Sequence, residues 1–263
     1  MCTGVAATYN LPVCTLAIYF RQSTNLPLVV AANRDEFYVR PTADPGLLSV
    51  HPWTFGGQDL SAGGTWFGVN ERRTIAGLLN RRSPEGPDPS RRSRGLLCLE
   101  ALQQGGPDEV IAWLRTRAAA DYNRFNLLVA DSDRAFVTVN DGITLSIAEL
   151  PPGLHVLTNT DVGDPTCPRR ARAHQLFARL SLDGRSADSL PAALRSILSD
   201  HDHAEAAGDP TAALCVHTPA YGTRSSSIVA FARAQGRMRF WHATGAPCAV
   251  DYVETQLPDA ASG

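Results

Sequence analysis

The sequence predicts an α+β fold: two antiparallel sheets stacked face to face, with helices packed on their outer sides. Two observations carry this expectation. Strand-like segments come in blocks at the start, middle and end of the chain, separated by two pairs of helical segments. They do not alternate one for one with helices, so a parallel βαβ sheet is excluded. In addition, no repeat or low-complexity linker divides the 263 residues. This sets the expectation of one domain over 1–263, with a polar tail from about 254.

The elements follow in order. Cys14, Leu16 and Ile18 alternate with Thr15, Ala17 and Tyr19, the period-two pattern of a half-buried strand. Leu28 to Ala32 is a continuous apolar run suited to a strand buried on both faces. It is followed by Asn33-Arg34-Asp35-Glu36, which reads as a solvated turn or as charge delivered to a cleft at a strand end. Gly64 to Val69 and Thr74 to Leu79 read as two further strands. Residues 81–94 form a Pro/Arg/Ser loop without apolar period. Pro107 with Asp108 and Glu109 marks a helix start, and Arg115 and Arg117 suit its end. Strands resume at 125–130, 135–139, 143–149 and 154–157. Ala173, Leu176, Phe177 and Leu180 share one helical face, as do Leu190, Leu194, Ile197 and Leu198. Strands at 213–217, 226–232 and 237–243 close the chain.

Composition excludes several functions. The formal charge of -2 gives no basic footprint for nucleic acid. The longest apolar-rich runs, 13–20 and 26–32, are too short to span a bilayer. All 24 basic side chains are Arg. Mechanisms that need an internal lysine are therefore excluded: Schiff-base enzymes, phosphate-loop NTPases and protein kinases. No basic, then apolar leader opens the chain, so a cytoplasmic location is expected.

The six cysteines are widely spaced with no C-x-x-C pair, which predicts neither a zinc cluster nor a disulfide framework. His201-Asp202-His203 looks like a metal-binding fragment but sits in a polar loop, and a surface loop is the expected reading; no metal and no cofactor are predicted. Cys2 stands apart because it follows the initiator Met, whose removal would leave a cysteine with its own free amine. A thiol is mostly protonated at neutral pH, whereas an α-amine titrates near pH ~7.7–8.0 and can accept the thiol proton. Nucleophile and base then occupy one residue. An Asp in the 33–36 segment could hold that amine, and an Arg could favour the thiolate. Trp66 is read as a core aromatic, with a substrate-cleft wall as its other assignment. The Arg-rich loop is read as solvated, with a rim that attracts carboxylate or phosphate as the alternative.

Met1-Cys2, Ala31-Ala32-Asn33-Arg34-Asp35-Glu36-Phe37 and Gly63-Gly64-Thr65-Trp66-Phe67-Gly68, in that order, resemble the NRDE family, also called the transport and Golgi organisation family. The likeness continues through Phe125 to Asp131, Leu157-Thr158-Asn159 and Tyr221-Gly222-Thr223-Arg224. More distantly the arrangement resembles the choloylglycine hydrolase and penicillin V acylase group, N-terminal nucleophile hydrolases with a four-layer αββα sandwich. The resemblance implies Cys2 as nucleophile and Asp35 as the group holding its amine. It implies Asn159 and Asn80 as oxyanion residues and Arg224 as a late active-site Arg. Those hydrolases carry an Arg where this chain has Ala32; Arg34, two positions on and on the same strand face, is the candidate replacement.

Two functions follow as expectations. One is a cysteine amidohydrolase or acyltransferase that cleaves a linear amide or thioester of a small molecule through an acyl-enzyme. The other is non-catalytic binding or trafficking of haem, lipid or acyl-coenzyme A in the same cleft. The acyl group, the leaving group and the oligomeric state are not encoded in any motif.

Overall fold

The computed structural model describes residues 14–83, 85–203 and 209–258. Its first sheet holds β1 (Thr15–Phe20), β2 (Leu28–Phe37), β10 (Gly153–Leu157), β11 (Tyr221–Ala232), β12 (Arg237–Ala243) and β13 (Val253–Thr255), ordered β10-β1-β2-β11-β12-β13. The second is a meander of β3 (Thr42–Val50), β4 (Trp53–Asp59), β5 (Phe67–Asn70), β6 (Ile75–Asn80), β7 (Phe125–Ala130), β8 (Ala135–Asn140) and β9 (Leu145–Glu149). The strand pairings within these two sheets are antiparallel.

Strand alternation builds the layers. Leu16, Ile18, Leu28, Val30 and Phe240 of the first sheet point at Phe55, Phe67, Val69, Ile75 and Leu128 of the second. The opposite residues of the same strands, Ala17, Val29, Ala31 and Ile228, meet α3 (Pro168–Ala178) and α4 (Leu190–Leu198) through Ala173, Phe177, Leu190 and Leu194. Beyond the second sheet, α1 (Arg94–Leu102) and α2 (Pro107–Leu114) place Leu97, Leu102 and Val110 on Ala76, Phe125 and Leu127. The result is the expected αββα sandwich. The expected helix start at Pro107 is the first residue of α2, with Asp108 and Glu109 in its first turn.

Three local expectations are corrected. β1 is buried along its whole length, not on one face, because it lies between β10 and β2 with a sheet on one side and α3 on the other. The segment 33–36 is not a turn: β2 runs through it, and Asn33, Arg34 and Asp35 are buried. Residues 213–217 form no strand; a 3-10 turn at Pro210–Ala212 leads into a loop that meets β11 at an isolated bridge, His217 with Gly222, and through hydrogen bonds between Val216 and Thr223. β3 and β4 carry no clear alternation in the sequence.

Candidate active site

β2 sends successive side chains to opposite sides of the sheet, and this sorts the site into two layers. Arg34 points between the sheets. Its guanidinium carbon lies 4.1 Å from the centre of the Trp66 ring, a stacked cation–π contact, and its Nη2 is 3.7 Å from Glu36 Oε2. Ala32 faces the same way and packs at the edge of the inter-sheet core, so the expected shared face of positions 32 and 34 is observed.

Asp35 points to the helix side and is completely enclosed. Arg169, the second residue of α3, donates Nη2 to Asp35 Oδ2 at 2.5 Å, and Thr223 donates Oγ1 to Oδ1 at 2.6 Å. Arg169 is equally buried and uses its other donors on Thr15 Oγ1 (2.6 Å), the Thr211 carbonyl (2.9 Å) and the Leu214 carbonyl (3.2 Å). Burial pushes the Asp35 carboxyl up from the ordinary carboxylate range, and Arg169 and the Thr223 hydrogen bond pull it back down. Asp35 therefore locks the start of β1, through Arg169 and Thr15, against α3 and β11. Sequence reasoning missed Arg169, since nothing in Pro168-Arg169-Arg170-Ala171-Arg172 distinguishes one Arg from the next.

Asn159, just beyond β10, is buried and has both ends of its amide engaged. Oδ1 accepts the backbone N–H of Cys14, and Nδ2 donates to the carbonyl of Asn80 at the end of β6. An amide nitrogen carries two hydrogens, so one donor of Asn159 is left for another acceptor. The loop that carries it is fixed by Asn126 of β7, fully buried, whose Nδ2 donates to the Thr158 and Thr160 carbonyls, each at 2.9 Å. Asn126 explains the polar residue within the otherwise apolar Phe125 to Ala130 run.

Cys2 lies outside the described residues. Among the described residues, the cysteine that the fold brings to Asn159 is Cys14, just before β1. Its Sγ is 3.7 Å from the Asp35 carbonyl, and it lines the cleft that also exposes Arg34, Trp66 and Asn80. Burial, then the Asp35 carboxylate, push the Cys14 thiol up to about 12, against weaker pulls from Arg169 and Arg34. Trp66 packs at the edge of the inter-sheet core and lines the cleft. Arg224, at a bulge in β11, stands 6.0 Å from the Tyr38 ring, and its buried Nε has no partner among the described residues. It does not line the cleft.

The cleft is open and encloses about 520 Å³. The 81–94 loop is its rim, contributing Arg91, Arg92 and Arg94. Arg91 and Arg92 pair with Asp88 and Glu100, and Arg40 on the facing wall pairs with Asp59. Among the described residues, Arg94 donates Nη1 to the carbonyl of Arg124, at 2.9 Å. Burial, then the neighbouring charge of Arg40, lower it to about 10, which leaves it charged at neutral pH.

A four-layer αββα sandwich, two stacked antiparallel sheets each covered by helices, is the α+β class to which this fold belongs. The Caenorhabditis elegans N-acylethanolamine-hydrolyzing acid amidase ortholog shares it, with a TM-score of 0.53, 16% identity, and coverage of 82% of this chain and 92% of that one. Within this fold class the chain belongs to the Transport and Golgi organisation 2 family, whose pattern it matches over residues 13–246. It is 30% identical over 239 residues to the Transport and Golgi organization protein 2 homolog of Bos taurus, covering 81% of this chain and 84% of that protein. The Homo sapiens homolog is 29% identical over the same shares. No helix among the described residues is long and apolar enough to cross a membrane.

Proposed function

We propose that this protein is a cysteine acyl hydrolase or acyltransferase acting on linear amides or thioesters, and that its nucleophile is Cys14. The observation that carries the reading is the placement of Cys14 against Asn159 at the cleft, with Arg34 and Asn80 alongside. The family match starts at residue 13, which also favours Cys14 over Cys2.

Inside an uninterrupted chain the Cys14 nitrogen is an amide and cannot take a proton. With the thiol at about 12, the site needs a base, and a free α-amine on Cys14 itself would supply it. The active form on this reading begins at Cys14, either by cleavage after Val13 or by translation starting at residue 13. Sγ then attacks the substrate carbonyl carbon while the thiol proton passes to the amine. The free Asn159 hydrogen and the Asn80 side chain stabilise the oxyanion, and the amine returns the proton to the leaving nitrogen or sulfur as the bond to it breaks. Water, or an acceptor amine, attacks the acyl-enzyme by the same route in reverse. Arg94 favours a substrate with an anionic end.

The test compares the full chain with one shortened to a methionine ahead of Cys14. Each is incubated with acyl amides and acyl-thioesters, and intact mass is recorded. An acyl adduct on Cys14 in the shortened form, lost in Cys14→Ala and kept in Cys2→Ala, is the expected result. An adduct on Cys2, or one that survives Cys14→Ala, overturns the assignment. Saturable haem or acyl-coenzyme A binding with no adduct in either form would favour carriage instead.

A further inference from the structure

The sequence offers no zinc motif, yet four metal-ligating side chains converge on the helix side of the first sheet. They are His201 after α4, Cys215 and His217 in the loop before β11, and Cys248 in the turn after β12. One ligand atom from each lies within 4.8 Å of the other three. The spacings are specific. Cys215 Sγ is 3.7 Å from Cys248 Sγ and 3.6 Å from His217 Nε2, and His217 Nε2 is 3.3 Å from Cys248 Sγ. A tetrahedral zinc ion with Zn–S of ~2.3 Å and Zn–N of ~2.0–2.1 Å requires S···S near ~3.8 Å and S···N near ~3.6 Å.

The surroundings fit as well. His201 Nδ1 lies 3.0 Å from the Cys215 carbonyl, and a hydrogen bond there puts the proton on Nδ1 and leaves Nε2 as the metal ligand. Such an outer partner orients histidine ligands generally. The His201 and His217 rings sit side by side, with centroids 5.2 Å apart. Two thiolates with two imidazoles favour zinc over the hard cations magnesium and calcium. Four protein ligands leave no open position, which makes the site structural.

We infer that His201, Cys215, His217 and Cys248 form a structural Cys₂His₂ zinc site that fastens three loops to the back of the first sheet. The ligands come from three loops around residues 201, 215–217 and 248, so the metal would join them to one another, which the hydrogen bonds of the 215–217 loop to β11 do not. The site also abuts the buried Asp35 network: the Val216 N–H, between two of the ligands, donates to Thr223 Oγ1 at 2.9 Å, and Thr223 holds Asp35.

The test is metal analysis of the purified full chain, kept reduced, followed by cobalt(II) substitution. One zinc per chain should survive dialysis and fall to near zero in Cys215→Ser. Cobalt(II) should give tetrahedral d–d bands with a thiolate charge-transfer band that weakens in Cys248→Ser and His217→Ala. The wild-type readings do not depend on any variant folding. Substoichiometric zinc with no thiolate band on cobalt addition overturns the inference. So does a wild-type mass two hydrogens short that maps to a Cys215–Cys248 disulfide.

Discussion

Asp35 and Arg169 meet in the interior, where neither charge is screened by water. Replacing Asp35 by Asn keeps the Thr223 hydrogen-bond partner but leaves the Arg169 charge uncompensated. Breaking a buried pair from one side costs ~3–5 kcal/mol, and urea unfolding of Asp35→Asn should lose stability on that scale. A loss below ~1 kcal/mol, the worth of an exposed pair, would show that Asp35 is not what holds Arg169. His242 of β12 tests a second buried group. Burial holds it down to about 4, beside Ser227 Oγ at 2.9 Å. Its folded value is below the unfolded ~6.5, so the unfolded chain takes up the proton first on acidification. The stability it contributes is complete above pH ~6.5 and is lost as the pH falls toward 4. His242→Gln, which cannot charge, should flatten the stability–pH curve across that window. An unchanged slope would count against a buried neutral imidazole. At this scale the sequence singled out Arg34 and Asp35 as polar residues following an apolar strand, whereas Asn159 was singled out only by the family resemblance. Arg169 and the zinc ligands were not legible: only tertiary folding separates one Arg of α3 from its neighbours, or joins positions 201 and 248.

The Gly63-Gly64-Thr65-Trp66-Phe67-Gly68 block gains its physical meaning at the level of the elements. Gly63 has a φ of 75°, open to glycine and unfavourable for other residues. Gly64 lies against the first turn of α1, where an added Cβ would sit 2.1 Å from the Gly95 carbonyl carbon. Thr65 N–H donates to the Gly95 carbonyl at 3.0 Å, so the approach is a joint between α1 and the second sheet. Both sides of the clash are backbone, and neither can swing away. Gly64→Ala should therefore displace α1 and cost at least the upper end of the ~1–3 kcal/mol typical of overpacking. Gly86→Ala, also at a φ of 75° but with nothing within 4 Å of the new methyl, should cost only its backbone strain, ~1 kcal/mol. Thermal unfolding of the two variants separates close approach from conformation; equal losses would refute the joint. Helices were legible here because Pro107 and the 3.6-residue apolar faces announce them. β3 escaped because Pro45 and Gly46 interrupt it and much of it is half-exposed, so no alternation builds up.

For the whole molecule, the block order of strands and helices was enough to predict two covered sheets, because each layer must bury one apolar face against the next. The order of strands within the sheets was not legible. Hydrophobic patterns tell a strand which way to face, but not which neighbour to take. The largest consequence of that order lies in β2, whose partners are β1, a few residues away, and β11, which runs beside it from Leu28↔Phe231 to Phe37↔Tyr221. During synthesis β2 leaves the ribosome early with one edge closed by β1, and its other edge waits for most of the chain. That waiting edge is long and apolar, of the kind that recruits foreign strands. Closing it requires a loop of nearly two hundred residues, a slow step by contact-order reasoning. The buried Asp35 carboxylate stands on this same strand, and its Thr223 partner arrives on β11. The nascent chain thus carries the Asp35 carboxylate on an exposed strand without its Arg169 partner until α3 emerges and without Thr223 until β11 does, which gives early β2 a reason to stay solvated and a reason to wait.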